Sequence, residues 1–298
     1  MVTAAEIPGW LRRLYPFEPR AFACGPVGLS YVDEGPRADE AVLLLHGNPT
    51  WSFHFRDLIG ELAAAGCRCV APDHAGMGLS DKPAAYPYCL RTHADNLGAL
   101  VGHLGLRRVH LVVHDWGGAI GFAWAARHPE RIGRIVILNT AAFPARRIPL
   151  RINLCRVPLL GAWLIRGLNG FARAATIQTV CRRALSPEVR RGYLFPYDSW
   201  ANRVGVARFV GDIPRRRGHP SRALLEETGR GLAQFRDRRA LIAWGGGDFC
   251  FNRWFYDRWL EIFPQASSHY LTDAGHYVLE DAGAEVRPLI TDFLKPKG

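Results

Sequence analysis

The chain has 298 residues, enough to bury a large core as one α/β domain with an insertion. Thirty-eight Lys and Arg against 27 Asp and Glu give a formal charge of +11, yet no nucleic-acid-binding module accompanies the excess, which argues against that class. Seven Cys, an odd number with no CxxC pair, read as free thiols in a reducing compartment; with no leader-like or membrane-spanning apolar run, a soluble cytoplasmic protein is expected.

In chain order, residues 21–35 hold two short β-like runs around Gly25-Pro26, a hairpin signal. Residues 41–45 are a continuous apolar run, as expected of a strand covered on both faces, and end in His46-Gly47-Asn48-Pro49. A helical pattern over 51–65, a strand over 67–71, a Gly-rich loop over 73–81 and a helix over 89–104 follow. Residues 109–113 form a strand that runs through His114-Asp115-Trp116-Gly117-Gly118 into the helical pattern 119–126, and 135–138 form another buried strand. Such alternation implies a parallel sheet with helices on both faces.

From Phe143 to Arg217 only helical patterns appear, separated by prolines, so a helical cap over 143–217 is expected between core parts 1–142 and 218–298. Leu160, Trp163, Leu164, Leu168 and Phe171 fall on one helical face, with Arg166 and Arg173 opposite. Together with Phe53, Trp200, Phe249 and Phe251, the residues Trp163, Leu164 and Leu168 are candidates to line an apolar cavity. Between Arg146 and Arg217 stand fifteen Arg, no Lys and three acids, a net +12. That fits either a docking surface for an acidic protein or an anionic membrane, or a solvated face. The sheet resumes at 240–244, followed by a helix at 253–262, a strand at 269–271 and a helix at 284–294.

The strand, tight turn and helix around Asp115 match a nucleophile elbow with a carboxylate where serine is usual. Gly117 and Gly118 suit a turn that leaves no room for side chains. Attack on carbon through an ester intermediate follows; the plainer reading makes Asp115 an N-cap. His276, in the loop after the last strand, is the candidate base, unless it is only a packed loop histidine. Asp248 would orient it in the chain order nucleophile, acid, base; a plain turn aspartate is the other reading, and the rival position holds Asn139, which carries no charge. Asn48 and Trp116 supply backbone donors for an oxyanion and two side-chain N–H groups free for a departing anion. No metal or cofactor motif is present.

The runs 46–51, 72–83 and 113–118 resemble the haloalkane dehalogenase family, and the resemblance extends over nearly the whole chain. It implies an α/β-hydrolase fold: a mostly parallel eight-stranded sheet with helices on both faces and a helical cap after strand 6. It also implies a catalytic triad of Asp115, His276 and Asp248, with Asn48 and Trp116 binding halide. The late acid resembles the branch that also holds the β-lactone decarboxylases of bacterial long-chain olefin synthesis. The leading expectation is hydrolysis of a small apolar haloalkane to alcohol and halide, with no cofactor; a β-lactone substrate is the alternative. Epoxide hydrolysis, with Tyr193 or Tyr197 as acid, and a non-enzymatic binding module rank lower.

Overall fold

The computed structural model describes residues 7–145, 148–214, 216 and 218–296; Arg146, Arg147, Arg215 and Arg217 of the basic segment lie outside them. Eight strands form one sheet: β1 (Arg20–Cys24), β2 (Val27–Glu34), β3 (Glu40–Leu45), β4 (Cys69–Pro72), β5 (Arg108–Asp115), β6 (Ile132–Thr140), β7 (Ala240–Gly245) and β8 (Ser267–Leu271). Their order is β1-β2-β4-β3-β5-β6-β7-β8, antiparallel across the first two pairings and parallel from β4 to β8. The hairpin turns on Gly25, whose φ of 58° suits glycine.

The central strands are buried on both faces, which is why they read as unbroken apolar runs. Alternate side chains serve two cores. Leu43, Leu45, Leu111, Val113, Ile135 and Ile137 meet one layer built from α3 (Leu90–His103), α4 (Trp116–Ala125), α10 (Pro220–Gly231) and α11 (Arg253–Ile262). Val42, Leu44, Val112, Val136 and Leu138 meet the opposite layer of α1 (Gly9–Leu14), α2 (Arg56–Ala64), α12 (Val278–Asp281) and α13 (Gly283–Leu294). The short helix α1 was not foreseen; with one buried leucine, Leu11, it has too little apolar periodicity to signal itself.

Between β6 and β7 the described residues are helical or irregular throughout. Here lie α5 (Leu150–Leu154), α6 (Leu160–Ala162) with a π turn through Gly167, α7 (Gly170–Gln178), α8 (Pro187–Leu194) and α9 (Val204–Gly211). The single apolar face expected over 160–171 does not form. Leu159 at φ 62° and Asn169 at φ 53° bracket a three-residue helix and a π turn, so the 3.6-residue period is lost. Leu164 and Phe171 point inward to a cavity, whereas Leu160, Trp163 and Leu168 are exposed. No helix among the described residues is long and apolar enough to cross a membrane.

Candidate active site

Asp115, Trp116, Asn48, Asp248 and His276 all sit at or just beyond the carboxyl ends of parallel strands, where an open α/β sheet forms its crevice. Asp115 ends β5 at φ 51°, ψ −124°, a conformation that aspartate adopts only under constraint. The constraint is packing from three sides. A Cβ on Gly117 would lie 1.9 Å from the Leu45 carbonyl oxygen, and one on Gly118 2.0 Å from Thr140 Oγ1. The Thr140 hydroxyl donates to the carbonyl of Asp115 itself. Opposite, a Cβ on Gly47 would lie 2.0 Å from Asp115 Oδ1, so the loop after β3 must be bare there to admit the carboxylate.

The Asn48 backbone N–H donates to Asp115 Oδ1 at 2.7 Å, and the Trp116 N–H also bonds this carboxylate. His276 Nε2 lies 3.7 Å from Asp115 Oδ2, and its Nδ1 lies 2.7 Å from Asp248 Oδ2. Asp248 accepts further bonds from Asn139 Nδ2 at 3.0 Å and from the Cys250 N–H at 2.6 Å. Asn139 also ties β6 to β7, donating to Gly245 O at 2.9 Å and accepting from its N–H at 2.8 Å. The rival position for the acid thus holds a neutral donor that fixes the carboxylate on the neighbouring strand.

Electrostatics divide the three groups. Burial raises the Asp115 pKa, and the His276 charge with the two N–H groups only partly offsets it. Burial would raise Asp248 too, but the His276 charge and hydrogen bond, with backbone N–H groups, hold it below the ordinary carboxylate value. For His276, burial would lower the pKa, yet Asp248 and then Asp115 raise it above that of a free imidazole. The arrangement is an imidazole poised between two carboxylates, one facing the cavity and one locked in place.

Above Asp115 lies a cavity of about 410 Å³, with Asn48, Trp116, Phe143, Ile152, Leu164 and Phe171 among its lining. Of the expected lining residues, Leu164, Phe249 and Phe251 do face it. Phe53 is instead packed in the core beside Trp51 and Tyr193, while Trp163, Leu168 and Trp200 are exposed. The Trp116 indole N–H has no hydrogen-bond partner among the described residues. Asn48 departs from expectation: its Nδ2 donates to Val206 O at 3.2 Å, which leaves one amide hydrogen for a ligand, and its Oδ1 is buried without a partner.

Tyr193 and Tyr197, the candidate acids for epoxide opening, are fully buried away from the cavity. Tyr193 donates to Glu280 Oε1 at 2.6 Å and Tyr197 to Thr50 O at 3.3 Å, so both hydroxyls are engaged structurally. Sequence reasoning missed His114, on β5 immediately before Asp115. Its ring lies 4.4 Å from that of His276, and its Nε2–H donates to the His276 carbonyl at 2.9 Å. The adjacency to Asp115 was the available signal.

The chain belongs to the α/β hydrolase fold family, whose model matches residues 40–283. Within it, the chain is 43% identical over 293 residues to a cis-3-alkyl-4-alkyloxetan-2-one decarboxylase of Xanthomonas campestris, covering 94% of this chain and 97% of that one. It is 33% identical over 284 residues to haloalkane dehalogenase 2 of Mycobacterium tuberculosis, covering 94% and 96%. The solved haloalkane dehalogenase DbeA of Bradyrhizobium elkani superposes with a TM-score of 0.84 at 25% identity, over 93% of this chain and 97% of that one. The chain is therefore an α/β hydrolase related to haloalkane dehalogenases and, more closely, to β-lactone decarboxylases, which reverses the order expected from the motifs.

Proposed function

We propose that the protein decarboxylates cis-3,4-dialkyl β-lactones to alkenes, with Asp115 as nucleophile. The observation that supports this most is the buried Asp115 carboxylate, aimed by two backbone N–H groups into an apolar cavity; the identity to the decarboxylase adds weight. Asp115 attacks the ring carbon that bears the oxygen, the carbon–oxygen bond breaks, and a carboxylate is released on the neighbouring carbon. The second Asn48 amide hydrogen and the Trp116 indole N–H hold that carboxylate. The bond between carboxylate and chain then supplies the electrons of the alkene as carbon dioxide leaves and the ester bond to Asp115 breaks. Asp115 is returned as carboxylate and no water is consumed. An apolar cavity favours this step, because it solvates a localised carboxylate less well than the dispersed charge of the fragmenting one. His276, oriented by Asp248, balances the negative charge. Residues 143–217 act as the cap that closes the cavity.

The partnerless Trp116 indole N–H beside Asp115 favours a second reading, haloalkane hydrolysis with Asn48 and Trp116 binding halide. There His276 takes a proton from the water that hydrolyses the ester. The two readings separate in one experiment: a cis-3,4-dialkyl oxetan-2-one and a haloalkane are each given to wild type, Asp115→Ala and His276→Ala. The expected result is alkene and carbon dioxide from the lactone, abolished in Asp115→Ala, with no stable adduct in His276→Ala. Halide release with an alkyl adduct on Asp115 trapped in His276→Ala, and no alkene, reverses the assignment.

A further inference from the structure

The large hydrophobic side chains that are exposed among the described residues all lie between Leu150 and Trp200. Leu150 is 83% exposed, Leu159 87% and Trp163 54%, and Leu154, Leu160 and Leu168 accompany them. Seven of them fall within residues 150–168, a strip along the chain. The turn from α5 folds back so that a Cβ on Gly161, in α6, would lie 2.0 Å from Cys155 O, and Arg166 in the following π turn covers the Trp200 ring at 4.5 Å. Leu159, at φ 62°, stands at the tip of this turn with its side chain in solvent rather than packed against the fold.

The strip's own segment carries charge of one sign: residues 148–168 contain Arg151, Arg156 and Arg166 and neither Asp nor Glu. A strip of leucine and tryptophan tips set among arginines has the composition of an interfacial anchor, whose apolar side enters the acyl boundary while cations meet anionic headgroups. A second copy of the chain fits poorly, since a two-fold contact would press the same arginines together. The inner side of the same segment lines the cavity with Ile152, Cys155 and Leu164. At its rim Arg151, lying over Phe249 at 4.3 Å, donates to Gln178 Oε1 at 2.7 Å, and both Arg151 and Gln178 are exposed.

We propose that residues 150–168 dock the protein on an anionic lipid bilayer and present the Arg151–Gln178 rim to it, so that an apolar ligand passes from lipid to cavity without crossing water. The proposal concerns access to the cavity and holds for either substrate class above.

Wild type, a Leu150→Ser/Leu159→Ser/Trp163→Ser variant and a Trp163→Phe variant are each mixed with vesicles of phosphatidylcholine alone or with one quarter phosphatidylglycerol. Sedimentation measures partitioning, and brominated acyl chains report tryptophan depth by quenching. All three substituted positions are exposed and outside the cavity lining, so folding and turnover of a dispersed short-chain substrate are expected to persist. The anionic vesicles are expected to bind wild type at least tenfold more tightly than neutral ones, the triple variant to lose at least tenfold, and part of the quenching to vanish in Trp163→Phe. Absence of binding to anionic vesicles in low salt overturns the proposal. So does equal binding of wild type and triple variant, which marks charge acting elsewhere, or quenching that Trp163→Phe leaves unchanged. Self-association or capture of an acidic protein that depends on the strip, without vesicle binding, assigns it to that other occupant.

Discussion

Five histidines behind and beside the site, His46, His54, His74, His93 and His114, are fully buried, and burial is the first cause of a lowered pKa in each, down to about 4 for His74. Neither nitrogen of His93 has a partner, and one nitrogen each of His54 and His114 lacks one. In the unfolded chain each imidazole titrates near its ordinary value of about 6.5. A folded pKa below the unfolded one means that the fold binds fewer protons, so this stability is present above about pH 6.5 and is lost as pH falls. Between pH 7 and 5 an imidazole that stays neutral costs up to about 2 kcal/mol, so several together weigh heavily against the stability of a domain. Groups with a raised pKa act the other way, Asp115, Asp212, Asp73 and His276 among them. Asp73, raised to about 6 chiefly by burial, returns about 1 kcal/mol as it protonates. His276, with its raised pKa, keeps its full contribution below the unfolded value and loses it only as pH rises. The assay is urea unfolding followed by tryptophan fluorescence from pH 7.5 to 5, with proton uptake taken from the slope of stability against pH. Uptake of about four protons near pH 5.5 is expected. A stability that hardly changes over this range, or uptake of fewer than two protons, would show that these imidazoles charge inside the fold and refute the argument.

Gly47→Ala is expected to lower turnover by about 10²-fold and stability by about 1–3 kcal/mol, since its Cβ overlaps the Asp115 side chain and displaces that carboxylate; kcat and melting temperature measured together check this. Asp248→Asn should cost about 10⁴-fold in any step that needs an oriented, charged His276, while mixing the variant with substrate still forms the Asp115 ester if attack itself needs no base. Tyr193→Phe should destabilise the fold by about 1–3 kcal/mol, because Glu280 and His54 lose a buried partner, yet leave turnover of a saturating substrate within about twofold. Turnover abolished in Tyr193→Phe, above all of an epoxide, would return that hydroxyl to the chemistry.

The strands and the meeting of Asp115, His276 and Asp248 were legible because each is written in local sequence. An apolar run buried on both faces, two glycines after an aspartate and a loop histidine after the last strand carry their own physical reasons. The support for those residues was not legible, because it is made across the sheet. Asn139 could be read only as a position lacking charge, and its hydrogen bond to Asp248 depends on β6 and β7 being neighbours. His114 points to the face opposite the one that Val113 packs against, and meets His276 only once β8 has been placed. The cap failed for a different reason. A helical period assigned Leu160, Trp163, Leu164, Leu168 and Phe171 to one buried face, but a left-handed Leu159, a π turn and a left-handed Asn169 rotate successive segments. Periodicity argues that apolar residues share a face only while the helix is continuous. Where it is broken three times within about a dozen residues, Leu164 and Phe171 turn toward the cavity and Leu160, Trp163 and Leu168 toward the outside. Leu160, Trp163 and Leu168, which a continuous helix would have buried together, therefore stand exposed, and it is the breaks in the helix, rather than composition, that put them there.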